Sequence, residues 1–348
     1  MQQVRVTISG FGNVGRQIAA MLLERRGRYR QLYDADVRLV ALCNSRAGIR
    51  NDDGIAAADF AAMVPGATGV SFLADAKPDV LIETGPSDFA TGGPGLSYLE
   101  TLLAEGCDAV VVSKGALVHS GARLRELAAS TGARIRISGA TAAALPTIDV
   151  LETGLLGCRV LSLEGVLNAT TNYLLNAMMA RRVEFADALG EAQAGGFAES
   201  EPSRDIEGWD TACKLLILAN FGLGLDLRMD DVTVSGIGHV TLHDVEDWRN
   251  KGVVPRLVGR LDLQGGKPMA SVAVRTYPLD DPFAHIAGKT KAMRVQTDCM
   301  GEILTMGGGP EPMATASAAL KDLELLLAGS KNAERHAEFF ETTRRRGR

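Results

Sequence analysis

The chain has 348 residues, roughly twice the usual length of one domain, so two domains with a sizeable core are expected. With 42 acidic and 37 basic residues, the net charge is -5 and the basic residues form no block before the last few positions, which excludes nucleic acid and an anionic membrane surface as partners. The longest apolar stretch, residues 215–225, is interrupted by Asn220 and is too short for a bilayer span, and the start resembles no export signal, so we expect a cytoplasmic protein.

A glycine-rich turn follows the first predicted strand. Residues 4–9 are rich in β-forming side chains, and apolar residues at helical spacing follow the turn. In a dinucleotide-binding turn the first glycine permits the tight bend, the second leaves room for the pyrophosphate, and the third lets helix and strand pack closely. The pattern favours cofactor binding over a purely structural turn. The predicted cofactor residues here are Gly10, Phe11, Gly12, Asn13, Val14 and Gly15.

The second predicted strand, residues 38–43, ends in Asn44, Ser45 and Arg46. An NAD-preferring site usually carries an acidic residue here for the ribose hydroxyl, and this chain has none. Ser45 and Arg46 are suited to hold a 2′-phosphate, which favours NADP over NAD. A solvated surface arginine is the alternative.

Strands and helices then alternate, with strands at 79–83, 109–113 and 134–138 and helices at 97–105 and 121–130. This alternation predicts an α/β fold with a Rossmann-like, doubly wound parallel sheet. Ligands bind beyond the carboxyl ends of such strands, so Thr84, Ser113 and Lys114 are predicted on the cofactor side. Lys114 is placed to meet substrate or nicotinamide, or else caps the following turn as a cation.

The pattern changes after Pro146: a helix to about residue 156 and a strand at 160–167 precede the polar run Asn168-Ala169-Thr170-Thr171. Such a run at a helix N-terminus is suited to bind a carboxylate. An ordinary N-cap by Thr170 or Thr171 is the alternative.

The densest group of charges lies between residues 195 and 214. Four acidic residues, Glu199, Glu201, Asp205 and Glu207, stand in a loop with glycine and proline, and Asp210 and Lys214 share one face of the next helix. An exposed ion pair would give the same spacing. However, apolar residues 215–218 follow at once, so the helix should be mostly buried and its polar stripe paired or functional.

At these residues the chain resembles homoserine dehydrogenases, in particular the short form without a C-terminal regulatory domain. The resemblance runs from Gly10 to about Leu326, and its specific segments are the glycine turn, Ser-Lys-Gly-Ala-Leu from Ser113, Asn-Ala-Thr-Thr-Asn-Tyr from Asn168, and the run ending at Lys214. The family interconverts L-homoserine and L-aspartate 4-semialdehyde with NAD or NADP.

The resemblance also implies roles for single residues. Lys214 and Lys114 would polarise or protonate the carbonyl oxygen, as carbonyl reduction requires, and Asp210 would orient Lys214 and the reacting hydroxyl. The substrate ammonium would be received by Glu199 with support from Asp205. The substrate carboxylate would be held by Thr170 and the neighbouring backbone of Ala169.

Several positions depart from the family pattern. Ser113 replaces an asparagine, Phe197 replaces a tyrosine, and residues 138–145 lack the acid and two glycines with which some members bind a monovalent cation. We therefore expect no metal site. These departures leave open a paralogue acting on another small hydroxy compound or aldehyde. A non-catalytic dinucleotide-binding sensor is a further alternative.

The last third of the chain completes the expected domains. Strands at 256–263, 269–275 and 294–297 predict a mixed sheet in a second, α+β substrate-binding, catalytic and dimerisation domain, 141–304. By resemblance, the segment 305–330, with a helix at 315–327, returns to the cofactor domain 1–140, and Gly309 approaches the nicotinamide half unless it lies in a plain loop.

The remaining expectations concern the tail, the cysteines and the assembly. Residues 331–348 form a charged tail whose arginines are predicted to be solvated. Five singly scattered cysteines are expected to be small buried hydrophobes in a reducing compartment. The resemblance implies a homodimer or homotetramer without a regulatory domain after residue 330.

Overall fold

The computed structural model describes the backbone at residues 1–309 and 311–346, and the side chains at 1–309 and 311–329. Two compact units are formed, Met1–Gly139 with Glu311–Arg348, and Ala140–Pro310. The domain boundaries predicted from the sequence lay after residues 140 and 304. The second boundary differs because residues 302–307 form a strand that pairs within the second unit.

The strands fall into two sheets. The first unit contains β1 (Gln2–Ser9), β2 (Ala35–Cys43), β3 (Ala47–Arg50), β4 (Val64–Pro65), β5 (Val80–Glu83), β6 (Asp108–Val111) and β7 (Ile135–Arg136). The second unit contains β8 (Val160–Val166), β9 (Val232–Val234), β10 (Val253–Asp262), β11 (Met269–Pro278), β12 (Lys291–Thr297) and β13 (Glu302–Gly307).

The α-helices in chain order are α1 (Asn13–Glu24), α2 (Arg26–Tyr33), α3 (Val70–Ala74), α4 (Gly93–Ala104), α5 (Gly115–Thr131), α6 (Ser138–Thr141), α7 (Thr147–Asp149), α8 (Ala169–Arg181), α9 (Phe185–Ala194), α10 (Ser203–Ile206), α11 (Trp209–Ile217), α12 (Leu242–Asn250) and α13 (Met313–Arg346). Short 3-10 turns occupy Ala57–Ala62, Met229–Asp231 and Pro282–His285. Single π-turns occupy Val150–Gly154 and Leu218–Gly222.

The first sheet has the order β4-β3-β2-β1-β5-β6-β7. Its five strands from β2 to β7 run parallel, whereas β3 and β4 add an antiparallel edge. The chain moves from β1 to β2 on one side and later to β5 on the other, so β1 marks the switch point where ligands bind in doubly wound sheets. This confirms the predicted Rossmann-like fold.

Both faces of the first sheet are covered. Strand β2 is buried along almost its whole length, and β1 is buried from Val6 to Ser9, as expected for parallel strands with helices on both sides. Helix α13 contributes Ala316, Ala319, Leu320 and Leu323 to the same core as Val6 and Leu39. The part of α13 between residues 316 and 327 therefore belongs to the hydrophobic core of the first unit.

The second unit is built on a mixed sheet of order β13-β12-β8-β10-β11-β9, as the sequence predicts. Only the β11–β9 pair is parallel among its described strands. Helix α11 packs on β10 through Gly259, where an added Cβ would lie 3.2 Å from Thr211 and 3.4 Å from Leu215. The sheet thereby supports the helix that carries Lys214.

Several predicted boundaries were wrong. Strand β6 ends at Val111 and α5 begins at Gly115, so Ser113 and Lys114 lie in the connecting turn. Strand β7 has two residues instead of five because Ser138 already begins α6. The helix predicted after Pro146 consists of the three-residue α7 and a π-turn.

Two cysteines contradict the prediction that all five are buried. Cys43, Cys107 and Cys213 are buried, whereas Cys158 is partly exposed and Cys299 is exposed. The side chains of the arginines at 344–348 lie outside the described residues, so the predicted solvation of the tail stays a prediction. Among the described residues, no helix combines the length and apolar character that a membrane span requires.

Asp36, the second residue of β2, ties α2 to the sheet. Its buried carboxylate accepts hydrogen bonds from Arg30 at 2.6 and 3.0 Å and from Arg38 at 2.7 Å. These bonds lower the pKa of Asp36 to about 2, even though burial acts in the opposite direction. A carboxylate with a folded pKa below its unfolded value of about 3.9 stabilises the fold above that value.

Asp36→Asn is therefore expected to lower the free energy of unfolding near neutral pH by about 1–2 kcal/mol, since both arginines are partly solvated. The stability difference from wild type should shrink as the pH falls from about 4 towards 2, because wild-type Asp36 then becomes protonated. Urea unfolding across this range tests the expectation, with the exposed Asp75→Asn as the control. A difference that stays constant with pH would contradict it.

Candidate active site

The glycine turn after β1 is fixed by close backbone contacts. Gly10 has a φ of +91°, and a Cβ there would lie 2.6 Å from the backbone of Thr84 at the end of β5. A Cβ on Gly15 would lie 2.0 Å from the carbonyl oxygen of Gly10. Thr84 donates its own hydroxyl to that oxygen at 2.7 Å. Two of the three predicted glycines are therefore required for the fold itself.

Gly12 differs from its neighbours, because a Cβ there would meet nothing within 4 Å. It is the N-cap of α1, and no side chain caps that helix end. The first amide groups of a helix have no intrahelical acceptors and, with the helix dipole, favour a phosphate. The open space at Gly12 and the uncapped helix end therefore fit a dinucleotide pyrophosphate.

A rigid turn follows β2. The Asn44 side chain accepts hydrogen bonds from the backbone amides of Arg46 at 2.8 Å and Ala47 at 2.9 Å. Thr68 donates to the Asn44 carbonyl oxygen at 2.6 Å. Ser45 and Arg46 are exposed, and the Arg46 guanidinium has no hydrogen bond or ion pair within the part of the chain that is described.

The turns after β5 and β6 are joined by Glu83, for which the sequence predicted no role of its own. This fully buried carboxylate accepts from the Ser113 hydroxyl at 2.5 Å and the Gly85 amide at 2.7 Å, and burial raises its pKa. The Lys114 amide donates to the Ser87 hydroxyl at 2.9 Å. A charged residue ending an otherwise apolar strand was the signal that could have identified Glu83.

In the second unit, Lys214 is nearly buried, with 8% of the residue exposed. Its ammonium donates to Asp210 Oδ2 at 2.6 Å and to the Leu167 carbonyl oxygen at 2.8 Å. The i, i+4 spacing in α11 places both side chains on one face. The predicted Asp210–Lys214 pair is thus a largely buried ion pair at the carboxyl end of β8.

Asn168 is the residue that connects this group. Its amide nitrogen donates to Asp210 Oδ2 at 2.9 Å and to Asp205 Oδ1 at 2.8 Å, and its oxygen accepts from the Thr171 amide at 2.9 Å. The N-cap of α8 is therefore Asn168, and the alternative cap by Thr170 or Thr171 was wrong. Asparagine is a preferred N-cap, which was the sequence signal for this position.

The remaining predicted substrate residues lie outside this network. Glu199 is exposed, and its carboxylate has no partner among residues 1–309 and 311–329; only its carbonyl oxygen accepts a bond, from Gln193 at 3.2 Å. The Thr170 hydroxyl lies 3.4 Å from the Phe197 carbonyl oxygen, and Phe197 stacks on Tyr173 at 4.6 Å. Ala169 is the first residue of α8.

Residues 138–145, which depart from the family pattern, are fixed at their start by hydrogen bonds. Buried Asp322 accepts the Ser138 amide at 2.8 Å and its hydroxyl at 2.6 Å, both within the first unit. Ala143 has a φ of +56°, a conformation in which glycine would be less strained. Gly309 follows β13, and its approach to a nicotinamide stays a prediction.

The first unit is Rossmann-like and has a glycine turn suited to bind a phosphate. The second, α+β unit holds a nearly buried lysine. Together these features define a nicotinamide-dependent oxidoreductase. Family models match both units: the homoserine dehydrogenase NAD-binding domain over residues 10–138 and homoserine dehydrogenase over residues 146–323. The chain belongs to the homoserine dehydrogenase family.

Similar proteins extend over nearly the whole chain. A homoserine dehydrogenase of Methanocaldococcus jannaschii is 30% identical, over 91% of this chain and 97% of its own length. An NAD(+)-dependent homoserine dehydrogenase of Pseudomonas canavaninivorans is 29% identical, over 97% of this chain and 99% of its own length. The crystal structure of a homoserine dehydrogenase from Thiobacillus denitrificans has a TM-score of 0.82 at 27% identity. The match covers 93% of this chain and 73% of that one.

Two glycine substitutions should separate folding from cofactor binding. Gly15→Ala is expected to destabilise the protein by about 2–3 kcal/mol, because its Cβ would overlap the Gly10 carbonyl oxygen. Gly12→Ala should leave the thermal midpoint of the free protein almost unchanged but weaken NADP binding at least about tenfold, since the methyl group occupies the phosphate space. Thermal unfolding and dinucleotide titration measure the two effects.

The control for this pair is Gly27→Ala, where an added Cβ also meets nothing within 4 Å but lies away from the turn. It should leave dinucleotide binding unchanged and should not lower the thermal midpoint, because alanine is favoured over glycine inside α2. If Gly12→Ala bound the dinucleotide as tightly as wild type, the assignment of the pyrophosphate site would be wrong.

Proposed function

We propose that this chain oxidises L-homoserine to L-aspartate 4-semialdehyde and catalyses the reverse reduction, with NAD or NADP as the hydride carrier. The observation that carries the proposal is the nearly buried Lys214 ammonium, fixed by Asp210 and the Leu167 carbonyl oxygen. Membership of the family supplies the substrate. A nicotinamide dinucleotide held at the glycine turn would supply the hydride carrier that this interconversion of alcohol and aldehyde requires.

The proton is handled by Lys214. An ammonium has three N–H donors, and two of them are used by Asp210 and Leu167, so the third is available to a substrate oxygen. In the reductive direction, this N–H stabilises the oxygen that becomes negative and then gives it a proton. In the oxidative direction the neutral Lys214 amine accepts the hydroxyl proton and becomes the ammonium again.

Asp210 and Asn168 position the lysine. Asp210 Oδ2 accepts from both Lys214 and Asn168, and Asn168 is itself fixed as the N-cap of α8. The ammonium therefore has a defined direction before substrate binds, which is how a preorganised site lowers a barrier. Lys114, at the end of the connecting turn after β6, is proposed as a second cation at the reacting oxygen.

The substrate is a small zwitterion, and the second unit offers a complement to each charge. Glu199 carries a solvent-facing carboxylate suited to an ammonium, and Asp205, which accepts a hydrogen bond from Asn168, adds a second acid. The N-terminal amides of α8 at Ala169 and Thr170, with the Thr170 hydroxyl, are suited to a carboxylate. These assignments are proposals supported by charge and position.

For the cofactor, we favour NADP over NAD. The exposed Arg46 guanidinium and the Ser45 hydroxyl stand on the rigid turn after β2, and residues 44–46 include no acid for a ribose hydroxyl. A relative at 29% identity is named as NAD(+)-dependent, so the family is not uniform. The preference of this chain therefore depends on its own residues at this turn.

Lys214→Met is expected to lower kcat for homoserine oxidation about 10²–10⁴-fold, since it removes the proton carrier while keeping an unbranched side chain. The matched control is Lys251→Met, because Lys251 forms the same i, i+4 pair with Asp247 at 2.6 Å on the surface. Steady-state rates with L-homoserine measure both. The control should stay within about twofold of wild type, and comparable losses in the two variants would contradict the role of Lys214.

Arg46→Ala should raise the KM for NADP about tenfold or more and leave the KM for NAD nearly unchanged, because only NADP has a 2′-phosphate. Arg50→Ala, at the exposed end of β3, is the control for a general loss of positive charge. Parallel titrations of both dinucleotides provide the measurement. Equal effects on NADP and NAD would show that Arg46 does not recognise the phosphate.

A further inference from the structure

Two thiols meet in the second unit, away from the network around Lys214. Cys158 lies in the turn before β8, and Cys299 lies in the turn between β12 and β13. Their Sγ atoms are 3.0 Å apart, although 141 residues separate them in the chain. Cys299 is exposed and Cys158 is partly exposed, so small molecules in solution can reach the pair.

The backbone holds the two turns together. Arg159 donates its amide to Asp298 Oδ1 at 2.9 Å, and the Asp298 amide donates to the Arg159 carbonyl oxygen at 3.1 Å. Strands β8 and β12 continue from these turns as an antiparallel pair. The sulfurs, 3.0 Å apart, are about 1 Å from the bonding distance of about 2.05 Å.

A bound metal ion is the competing explanation, because the ligand atoms of Cys158, Asp298 and Cys299 all lie within 4.8 Å of one another. Two thiolates on one tetrahedral zinc ion, each at about 2.3 Å, would be about 3.8 Å apart. The sulfurs here are closer than that. The Asp298 carboxylate already accepts the Arg159 amide and lies 3.6 Å from its guanidinium. The geometry therefore favours a sulfur–sulfur bond.

We propose that Cys158 and Cys299 form an intramolecular disulfide when the protein meets a small disulfide such as oxidised glutathione. The deprotonated Cys158 sulfur bonds to one sulfur of that molecule, whose S–S bond breaks and releases one thiol. Cys299 then loses its proton to solvent, attacks the Cys158 sulfur and releases the second thiol. Two protein thiols are oxidised, and one small disulfide is reduced to two thiols.

The order of the two steps follows from the hydrogen bond between the thiols. Cys299 is the donor towards Cys158. Hydrogen bonds with Cys158 and then with Asp298 raise the pKa of the Cys299 thiol to about 12. Cys299 therefore keeps its proton longer and acts second, after the mixed disulfide has formed on Cys158.

The cross-link should stabilise the second unit without changing turnover. It closes a loop of 141 residues within a unit of Ala140–Pro310, which restricts the unfolded chain. The pair stands at the start of β8, whereas Leu167 and Asn168 follow its other end, about 23 Å along a seven-residue strand. We expect the thermal midpoint to rise by about 4–8 °C and kcat to change less than about twofold.

The test equilibrates the purified wild-type chain with mixtures of oxidised and reduced glutathione, followed by thiol counting after denaturation. The expected count falls from five to three, with Cys158 and Cys299 linked in the peptide map. The rise in thermal midpoint should reverse on reduction. Five thiols in the most oxidising mixture, or a disulfide-linked dimer instead of the internal bond, would overturn the proposal.

Cysteine variants supply the matched controls. Cys158→Ser and Cys299→Ser should each abolish the reversible rise in midpoint, whereas Cys107→Ala, at a buried position, should keep it. The opposite pattern, with the rise retained in either serine variant, would also overturn the proposal. Because the readouts are thiol count and midpoint, the result does not depend on the substrate of the enzyme.

Discussion

The burial of the Lys214 ammonium is the constraint around which the second unit is organised. An ammonium that is 8% exposed is tolerated only if its charge and its donors are compensated. Asp210 supplies the charge, the Leu167 carbonyl oxygen accepts a second proton, and Asn168 holds the aspartate. The end of β8, the N-terminus of α8 and the start of α11 are thereby fixed together, so the groups that handle the proton also stabilise the fold.

The first unit is organised by backbone contact instead of charge. Gly10 and Gly15 bring β1, the end of β5 and α1 so close that no Cβ fits, while Gly12 leaves open space beside an uncapped helix end. The turn is thus closely packed on one side and open on the other. Glu83 adds a buried acceptor that joins the two neighbouring turns and sets the position of Ser113 next to Lys114.

The sequence predicted both folds and the Asp210–Lys214 pair, because hydrophobic periodicity and glycine spacing are local signals. It missed the connecting roles of Asn168 and Glu83 and the Cys158–Cys299 contact, because these depend on partners 30 to 141 residues away. The second half of β13, residues 305–307, was predicted to belong to the segment that returns to the cofactor domain, since its pairing with β12 is not visible in its composition. The homodimer or homotetramer, the roles of Glu199 and Gly309, and NADP preference remain predictions.

The central claim is hydride transfer from the alcohol carbon of homoserine with Lys214 as proton carrier. The most direct measurement uses L-homoserine with two deuterium atoms at C4, together with NADP, and follows the label by mass spectrometry. The account predicts that the reduced nicotinamide gains one deuterium and the aldehyde retains one. Reduced cofactor without deuterium, or no reduced cofactor at all, would contradict it.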